Sequence, residues 1–440
     1  MHFARISMST RTRLAAALIA LVTSAGLVAC QSPPLAPISS EARGFFMVPA
    51  VPLPGYGTYD SGSRDEFTGV GILPDGTIVS AGYSMPLQGD QTPAGVLNSG
   101  ATMVLTRPDG TAWAKTYAHD NARLYDVAIS PDGTMVVTAS ARSFDGVTLP
   151  SDEQGGSILA KISEDGSIIW VHGFGSVFNS VPPVNVSTDG SIYVVGADND
   201  ELIDKFTPDG DLVWAKSPGL DQVNGIAVTH DGGIIAAGIN PHIPQLDACD
   251  TTYTNGNCPT VVRMTSDGDI AWTSSLWSDD WSTYPMVTLA GVTVDVDGSA
   301  VVIGSTGIGS FISKLSNDGS VEWTHTFTND VSPGSIHMGF RSIATSPQGD
   351  YIVSGIYYQC IAGKQSSALV ADIDASGSIL WYRCLGDGDN NSLNAVAIAT
   401  DGSIAAVGTS STLDTSNGDP NGLFTGNALL ARLTSTGDIN

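Results

Sequence analysis

The sequence predicts an all-β protein, a seven-bladed β-propeller of four-stranded blades whose ring is closed by an N-terminal strand. Three observations predict it. Glycine is 50 of 440 residues and only 14% of residues are charged. That composition suits an apolar chain full of tight turns, not a disordered or helical one. After the first thirty residues no stretch sustains the 3.6-residue apolar period of an amphipathic helix. A two-part unit then recurs seven times at the spacing of propeller blades.

Each part of the unit reads as a β-hairpin, so one unit supplies four strands, a to d. Residues 395–408, AVAIATDGSIAAVG, show the first hairpin, and residues 368–381, ALVADIDASGSILW, the second. The a–b turns fall at Asp75-Gly76, Asp132-Gly133, Asp189-Gly190, Asp231-Gly232, Asp297-Gly298, Gln348-Gly349 and Asp401-Gly402. The c–d turns fall at Asp109-Gly110, Asp165-Gly166, Asp209-Gly210, Asp267-Gly268, Asp318-Gly319, Ser376-Gly377 and Thr436-Gly437. Eleven of the fourteen are Asp-Gly: glycine supplies the positive φ a tight hairpin requires, and aspartate bonds its own backbone.

Trp113, Trp170, Trp214, Trp272, Trp323 and Trp381 mark strand d of units one to six. Recurring at one structural position, they read as residues that fill the gap between wedge-shaped blades, not as a ligand-stacking ladder. In unit seven the tryptophan would fall at residue 441, so strand d is missing there and its neighbour is left with an unpaired edge. The apolar segment Phe45 to Tyr59 is expected to supply that strand.

The first thirty residues read as an export signal. Arg5, Arg11 and Arg13 precede an apolar run from Leu14 to Ala29, and no acid occurs before Glu41. The run is too short for a comfortable membrane span. It ends in Leu27-Val28-Ala29-Cys30, which resembles a bacterial lipobox and implies cleavage before Cys30 and acylation of its thiol. Met8 is an alternative start that keeps the whole signal. The expected organisation is a signal peptide over 1–29, a lipidated cysteine and flexible tether over 30–44, and the propeller over 45–440. Removing residues 1–29 leaves 15 basic against 44 acidic residues, a net charge of −29. That charge argues against nucleic-acid partners and against adhesion to anionic lipid. Beyond Cys30 four cysteines remain, an even number that suggests disulfides in an exported chain. Of three possible pairings, Cys249–Cys258 and Cys360–Cys384 are the expected ones.

The stretch LVADIDASGSILWYRCLGDGDNNSLNAVAIATDGSIAAVGTS, with its G-x-x-x-W strand, Leu385-Gly386-Asp387 and Asp-Gly hairpin, resembles the seven-bladed propeller repeats (SBBP type) of bacterial surface and secreted proteins. The resemblance covers about residues 60–440 and implies the fold without implying one activity. The G-x-x-x-W strand is also similar to quinoprotein dehydrogenase repeats, but cofactor-base and calcium ligands are not evident. The S-E-D-G and T-S-D-G turns miss the sialidase Asp-box by one residue.

Tight turns trim one face of such a ring, while the b–c and d–a connections of varied length emerge on the other. Variable loops on a rigid scaffold are where binding residues concentrate. The d–a loops carry Asp120, Asn121, Arg123, Asp221, Asn224, Asp279, Asp280, Trp281, Tyr284, His337, Arg341, Asp387, Asp389 and Asn391. An acidic rim with a few aromatics suits a cation, a sugar or a basic peptide. No G-x-S-x-G, H-E-x-x-H or CxxC motif occurs, and no organic cofactor is implied. Asp387-x-Asp389-x-Asn391 has the alternate oxygen donors of a calcium loop, but lacks the glycine and bidentate glutamate that complete one. The expected function is therefore a membrane-anchored envelope lipoprotein, at the outer membrane or cell surface, whose propeller binds a protein or glycan. The alternative is a propeller enzyme of lyase, lactonase or glycosidase type, using carboxylates at the channel mouth, with or without a metal.

Overall fold

The computed structural model of the chain describes residues 56–61, 64–85, 100–119, 122–149, 156–174, 182–196, 202–240, 258–276, 287–307, 309–328, 338–358, 360–414 and 423–439. Within these residues the strands form seven antiparallel four-stranded sheets, one for each predicted unit. In blades 1 to 7, strand a is Arg64–Ile72, Arg123–Ile129, Val184–Val186, Gln222–Val228, Thr288–Val294, Met338–Thr345 and Asn390–Ile398. Strand b is Ile78–Met85, Met135–Ala141, Ile192–Val195, Ile234–Asn240, Ala300–Thr306, Tyr351–Tyr358 and Ile404–Asp414. Strand c is Gly100–Thr106, Gly156–Ile162, Ile203–Phe206, Cys258–Met264, Gly309–Leu315, Ser366–Ile373 and Leu423–Leu433. Strand d is Ala112–Ala118, Ile168–Phe174, Leu212–Lys216, Ile270–Ser275, Val321–Thr328, Ile379–Leu385 and, in blade 7, the N-terminal Tyr56–Tyr59. That strand pairs antiparallel with the last one, Tyr56 opposite Ala431 and Tyr59 opposite Ala428. The ring is thus closed as the unpaired edge required; residues 45–55 lie outside the described residues.

All fourteen turns share one geometry. The glycine N–H donates to the carbonyl three residues earlier at 2.8–3.0 Å, and the glycine φ values run from +77° to +92°. This is a type I turn closed by a left-handed glycine. In nine of the eleven Asp-Gly turns the aspartate accepts the backbone N–H two residues on, as Asp75 does from Thr77 at 2.8 Å, and in the Asp209 and Asp267 turns a threonine hydroxyl accepts that N–H instead.

The strands of the first hairpins read as alternating, but the middle strands are buried on both faces. Met135–Ala141 and Gly156–Ile162 are buried at every position. A blade packs against each side of them, so neither face meets water, as in other sheets covered on both sides. Some of the small polar residues there bond across the seams: Thr138 Oγ1 donates to Pro182 O at 2.9 Å, and Ser310 Oγ to Met338 O at 2.7 Å.

The tryptophans are seam residues. Trp113, Trp170, Trp214, Trp272, Trp323 and Trp381 each lie against the c–d turn glycine of the next blade: Gly166, Gly210, Gly268, Gly319, Gly377 and Gly437. A Cβ on any of these glycines would come within 2.6–3.1 Å of the indole. Three of the indole N–H groups also donate to a carbonyl of that turn, Trp272 to Asn317 O at 2.8 Å and Trp170 and Trp214 to Pro208 O and Ser266 O at 3.2 Å.

Candidate functional site

Strand a of every blade lines an axial cavity of about 700 Å³. In six blades this strand carries a β-bulge at one position, close to its loop-face end. The bulged residues are Thr68, Tyr125, Asn224, Ala290, Arg341 and Asn394. A bulge sets two residues against one, so a backbone group drops out of the ladder and a side chain is re-aimed. Here the bulge side chain of one blade satisfies the carbonyl just before the next blade's bulge. Thr68 donates to Leu124 O at 2.9 Å, Asn224 to Leu289 O at 2.6 Å, and Asn394 to Phe67 O at 2.9 Å.

Blade 3 has a short strand a without this bulge, and the bridging group changes accordingly. Asp126 of blade 2 accepts the N–H of Val184 at 3.0 Å, and Asn185 of blade 3 donates to Ile226 O at 3.0 Å. Between blades 5 and 6 the bridge lies lower on the strand, where Thr345 donates to Val294 O at 2.9 Å.

The mouth on the loop side is a charged network crossing three seams. Arg341 donates to Asn394 Oδ1 and, at 3.2 Å, to Ser392 Oγ. Asn394 donates to Glu66 Oε1 at 3.2 Å, and Tyr83 donates to Glu66 Oε2 at 2.7 Å. The Arg123 guanidinium sits 4.6 Å from the centre of the Tyr83 ring. Desolvation lowers the Arg341 pKa, with the Glu66 charge opposing it. Burial raises the Asp126 carboxyl to about 7, against the two backbone N–H groups it accepts. Burial, with the Glu66 charge and hydrogen bond, raises the Tyr83 hydroxyl pKa.

Of the residues expected at the rim, Arg341 and Arg123 belong to this network, and Asn224 lines the same cavity from blade 4. Asp221 is exposed at the start of blade 4. Asp387 accepts from Ser410 Oγ at 3.1 Å, and its carbonyl accepts from Lys364 Nζ. Asn391 is buried, with its amide donating to Ser366 O and Gly388 O at 3.0 and 2.9 Å and its Oδ1 accepting from Ser410. That side chain therefore braces the d–a connection of blade 7. Among the described residues no three His, Cys, Asp or Glu side chains form a metal-binding group. Asp120, Asp279, Asp280, Trp281, Tyr284 and His337 lie outside the described residues, as do Cys30 and Cys249. Cys360 and Cys384 are disulfide-bonded, with Cα atoms 6.3 Å apart, tying the b–c loop of blade 6 to the end of its strand d. Cys258 is also disulfide-bonded.

Sequence reasoning missed Glu66, Tyr83, Tyr125, Asp126 and Asn394. The signal was present: in the six bulged blades an apolar residue, a variable residue and a mostly small one stand seven to nine residues ahead of the a–b turn glycine, as in Phe67-Thr68-Gly69 and Leu393-Asn394-Ala395.

No family model matches the chain, and no curated protein matches its sequence. Solved structures match its fold. A catalytically inactive virginiamycin B lyase from Staphylococcus aureus, in a crystal structure with quinupristin, is similar at a TM-score of 0.52 and 11% identity, covering 86% of this chain and 98% of that one. A streptogramin B lyase is similar at 0.49 and 12%, covering 85% and 96%. The Dos1 propeller is similar at 0.46 and 9%, covering 86% and 93%. At 11% identity the likeness to the first of these bears on the fold and on nothing finer.

Proposed function

We propose that this is an exported bacterial lipoprotein, anchored through Cys30 at the outer membrane or cell surface, whose propeller binds an envelope protein or glycan at the loop-side mouth of its channel. The observation that carries the reading is the bulge ring. At one end of the axis Arg341, Asn394 and Glu66 line a cavity of about 700 Å³, a size typical of ligand sites, and Tyr83 and Arg123 stand behind Glu66. The fourteen turns at the other end are nearly identical, which leaves them little chemical variety.

The test is a glycan array and an envelope pull-down with the detergent-solubilised protein, comparing Arg341→Ala with the turn-face variant Glu164→Ala. Binding should fall at least about tenfold in Arg341→Ala, which is about 1.4 kcal/mol, and stay unchanged in Glu164→Ala. Loss confined to Glu164→Ala would reverse the assigned face, and no binding by the unaltered protein would refute the reading.

A propeller enzyme is a second reading, supported by Asp126. Its carboxyl, raised to about 7, is suited to proton transfer near neutral pH. Recovery of the bound ligand chemically changed, at a rate lost in Asp126→Asn, would favour it over binding alone.

A further inference from the structure

One position on strand c, paired across the sheet with the strand-d tryptophan, carries a cation in most blades. Lys161 pairs with Trp170, Lys205 with Trp214, Arg263 with Trp272 and Lys314 with Trp323. Arg432 holds the position in blade 7, opposite Ala405 of strand b. Each cation reaches the blade's own a–b turn, the c–d turn of the next blade, or both. Lys161 Nζ is 3.0 Å from Asp132 Oδ2 and 3.3 Å from Pro208 O. Arg263 reaches Asp231 at 2.8 Å and Asn317 Oδ1 at 3.0 Å. Lys314 reaches Asp297 at 2.9 Å, and Lys205 reaches Ser266 O at 3.1 Å. Positive charge at this point offsets turn carboxylates and carbonyls converging from two blades.

Blade 6 inverts the pattern. The position opposite Trp381 is Asp372. The a–b turn aspartate is replaced by Gln348, and two residues on, where the other blades have Ser, Thr or Gly, stands Asp350. Asp372 is 5% exposed, and its Oδ1 has no hydrogen-bond partner. It faces a cavity of about 200 Å³ at the seam with blade 7, lined also by Asp350, Gln348, Ser346 and Ser435. Burial, helped by the Asp350 charge, pushes the Asp372 carboxyl up to about 6. Burial and the nearby Asp374 raise Asp350 as well. Two acids thus share a seam from which the repeated cation has been removed.

We propose that this cavity binds a metal cation, calcium by its donor set, in the place that a lysine or arginine side chain fills in five of the other six blades, blade 1 having Leu105 there. The donors are all hard oxygens: two carboxylates, the Gln348 amide oxygen and the Ser435 hydroxyl. Calcium takes six to eight such ligands in flexible geometry, whereas transition metals favour the nitrogen and sulfur donors lacking among these lining residues. The cavity exceeds the roughly 30 Å³ share of one water, so waters can complete the shell. The cation would clamp blade 6 to blade 7, the blade whose fourth strand comes from a separate segment of chain. The site is on the turn face, apart from the Asp387–Asn391 loop.

The test is calcium titration of chelator-treated full-length protein, by calorimetry and by thermal melting. One equivalent should bind, with a rise in melting temperature. Asp372→Asn should weaken that binding at least tenfold. Asp372→Lys, which restores the sister arrangement, should melt in chelator at or above the temperature of the calcium-loaded parent and ignore calcium. The double variant Asp387→Asn, Asp389→Asn should respond as the parent does. A parent that binds no calcium would overturn the proposal. So would a response that survives in Asp372→Asn, or one lost only in the Asp387 and Asp389 variant.

Discussion

Trp272 and Gly319 form one packing unit drawn from two blades. Glycine is required there twice over: its φ is +86°, and a Cβ would meet the indole at 2.8 Å. Blade 1 supplies the control. Gly110 sits in the same kind of turn at φ +84° but faces no tryptophan, because blade 7 has none, and a Cβ there meets nothing within 4 Å. Alanine at Gly110 should therefore cost only the strain of the left-handed region, about 1–2 kcal/mol. Alanine at Gly319 should add an overpacking penalty of about 1–3 kcal/mol. Urea midpoints of the two variants check this, and equal losses would show that the tryptophan does not press on the turn. The tryptophan series was legible in the sequence because it repeats. Its partner was not, since every turn glycine looks alike until the blades are assembled and six of the seven c–d glycines prove to be covered.

At the scale of the element, the informative strand is Tyr56–Tyr59. A missing seventh tryptophan position and an apolar N-terminal segment were enough to predict it. Four ladder pairs, from Tyr56–Ala431 to Tyr59–Ala428, hold it on a strand whose other edge is already paired. Deleting residues 45–59 should uncover the outer edge of Leu423–Leu433, an unpaired template for association. The expected result is a lower melting temperature with concentration-dependent aggregation, read by light scattering during the melt. A deletion variant that melts as the parent does and stays monodisperse would show that the strand is dispensable. The bulges of strand a were not legible in the same way. A period-2 pattern slips by one residue at each bulge, so Arg341 and Asn394 read as ordinary strand or loop positions. The backbone register places them at one level of the axis with Thr68, Tyr125, Asn224 and Ala290.

The whole molecule has two unlike ends, and its N-terminal strand fixes which end the chain enters. Strand c runs from the loop face to the turn face. The antiparallel Tyr56–Tyr59 therefore starts at the turn face, opposite Ala431 near the Thr434–Gly437 turn, and runs toward the loops. The proposed binding groups Arg341, Glu66 and Arg123 lie at the opposite end of the axis. Binding at the mouth should then be independent of anchoring, and Cys30→Ser separates the two. If acyl chains on Cys30 provide the anchor, the substitution removes tens of buried methylenes, at roughly 0.8 kcal/mol each, and no other segment is expected to replace them. The net charge of −29 expected after cleavage argues against adhesion to anionic lipid. The variant should therefore move from the membrane fraction to the soluble fraction or persist as uncleaved precursor, lose metabolic palmitate label, and, where released, bind the loop-face ligand with unchanged affinity. Palmitate retained on the substituted protein would refute the anchor. Release accompanied by loss of ligand binding would instead show that the two ends of the ring are coupled.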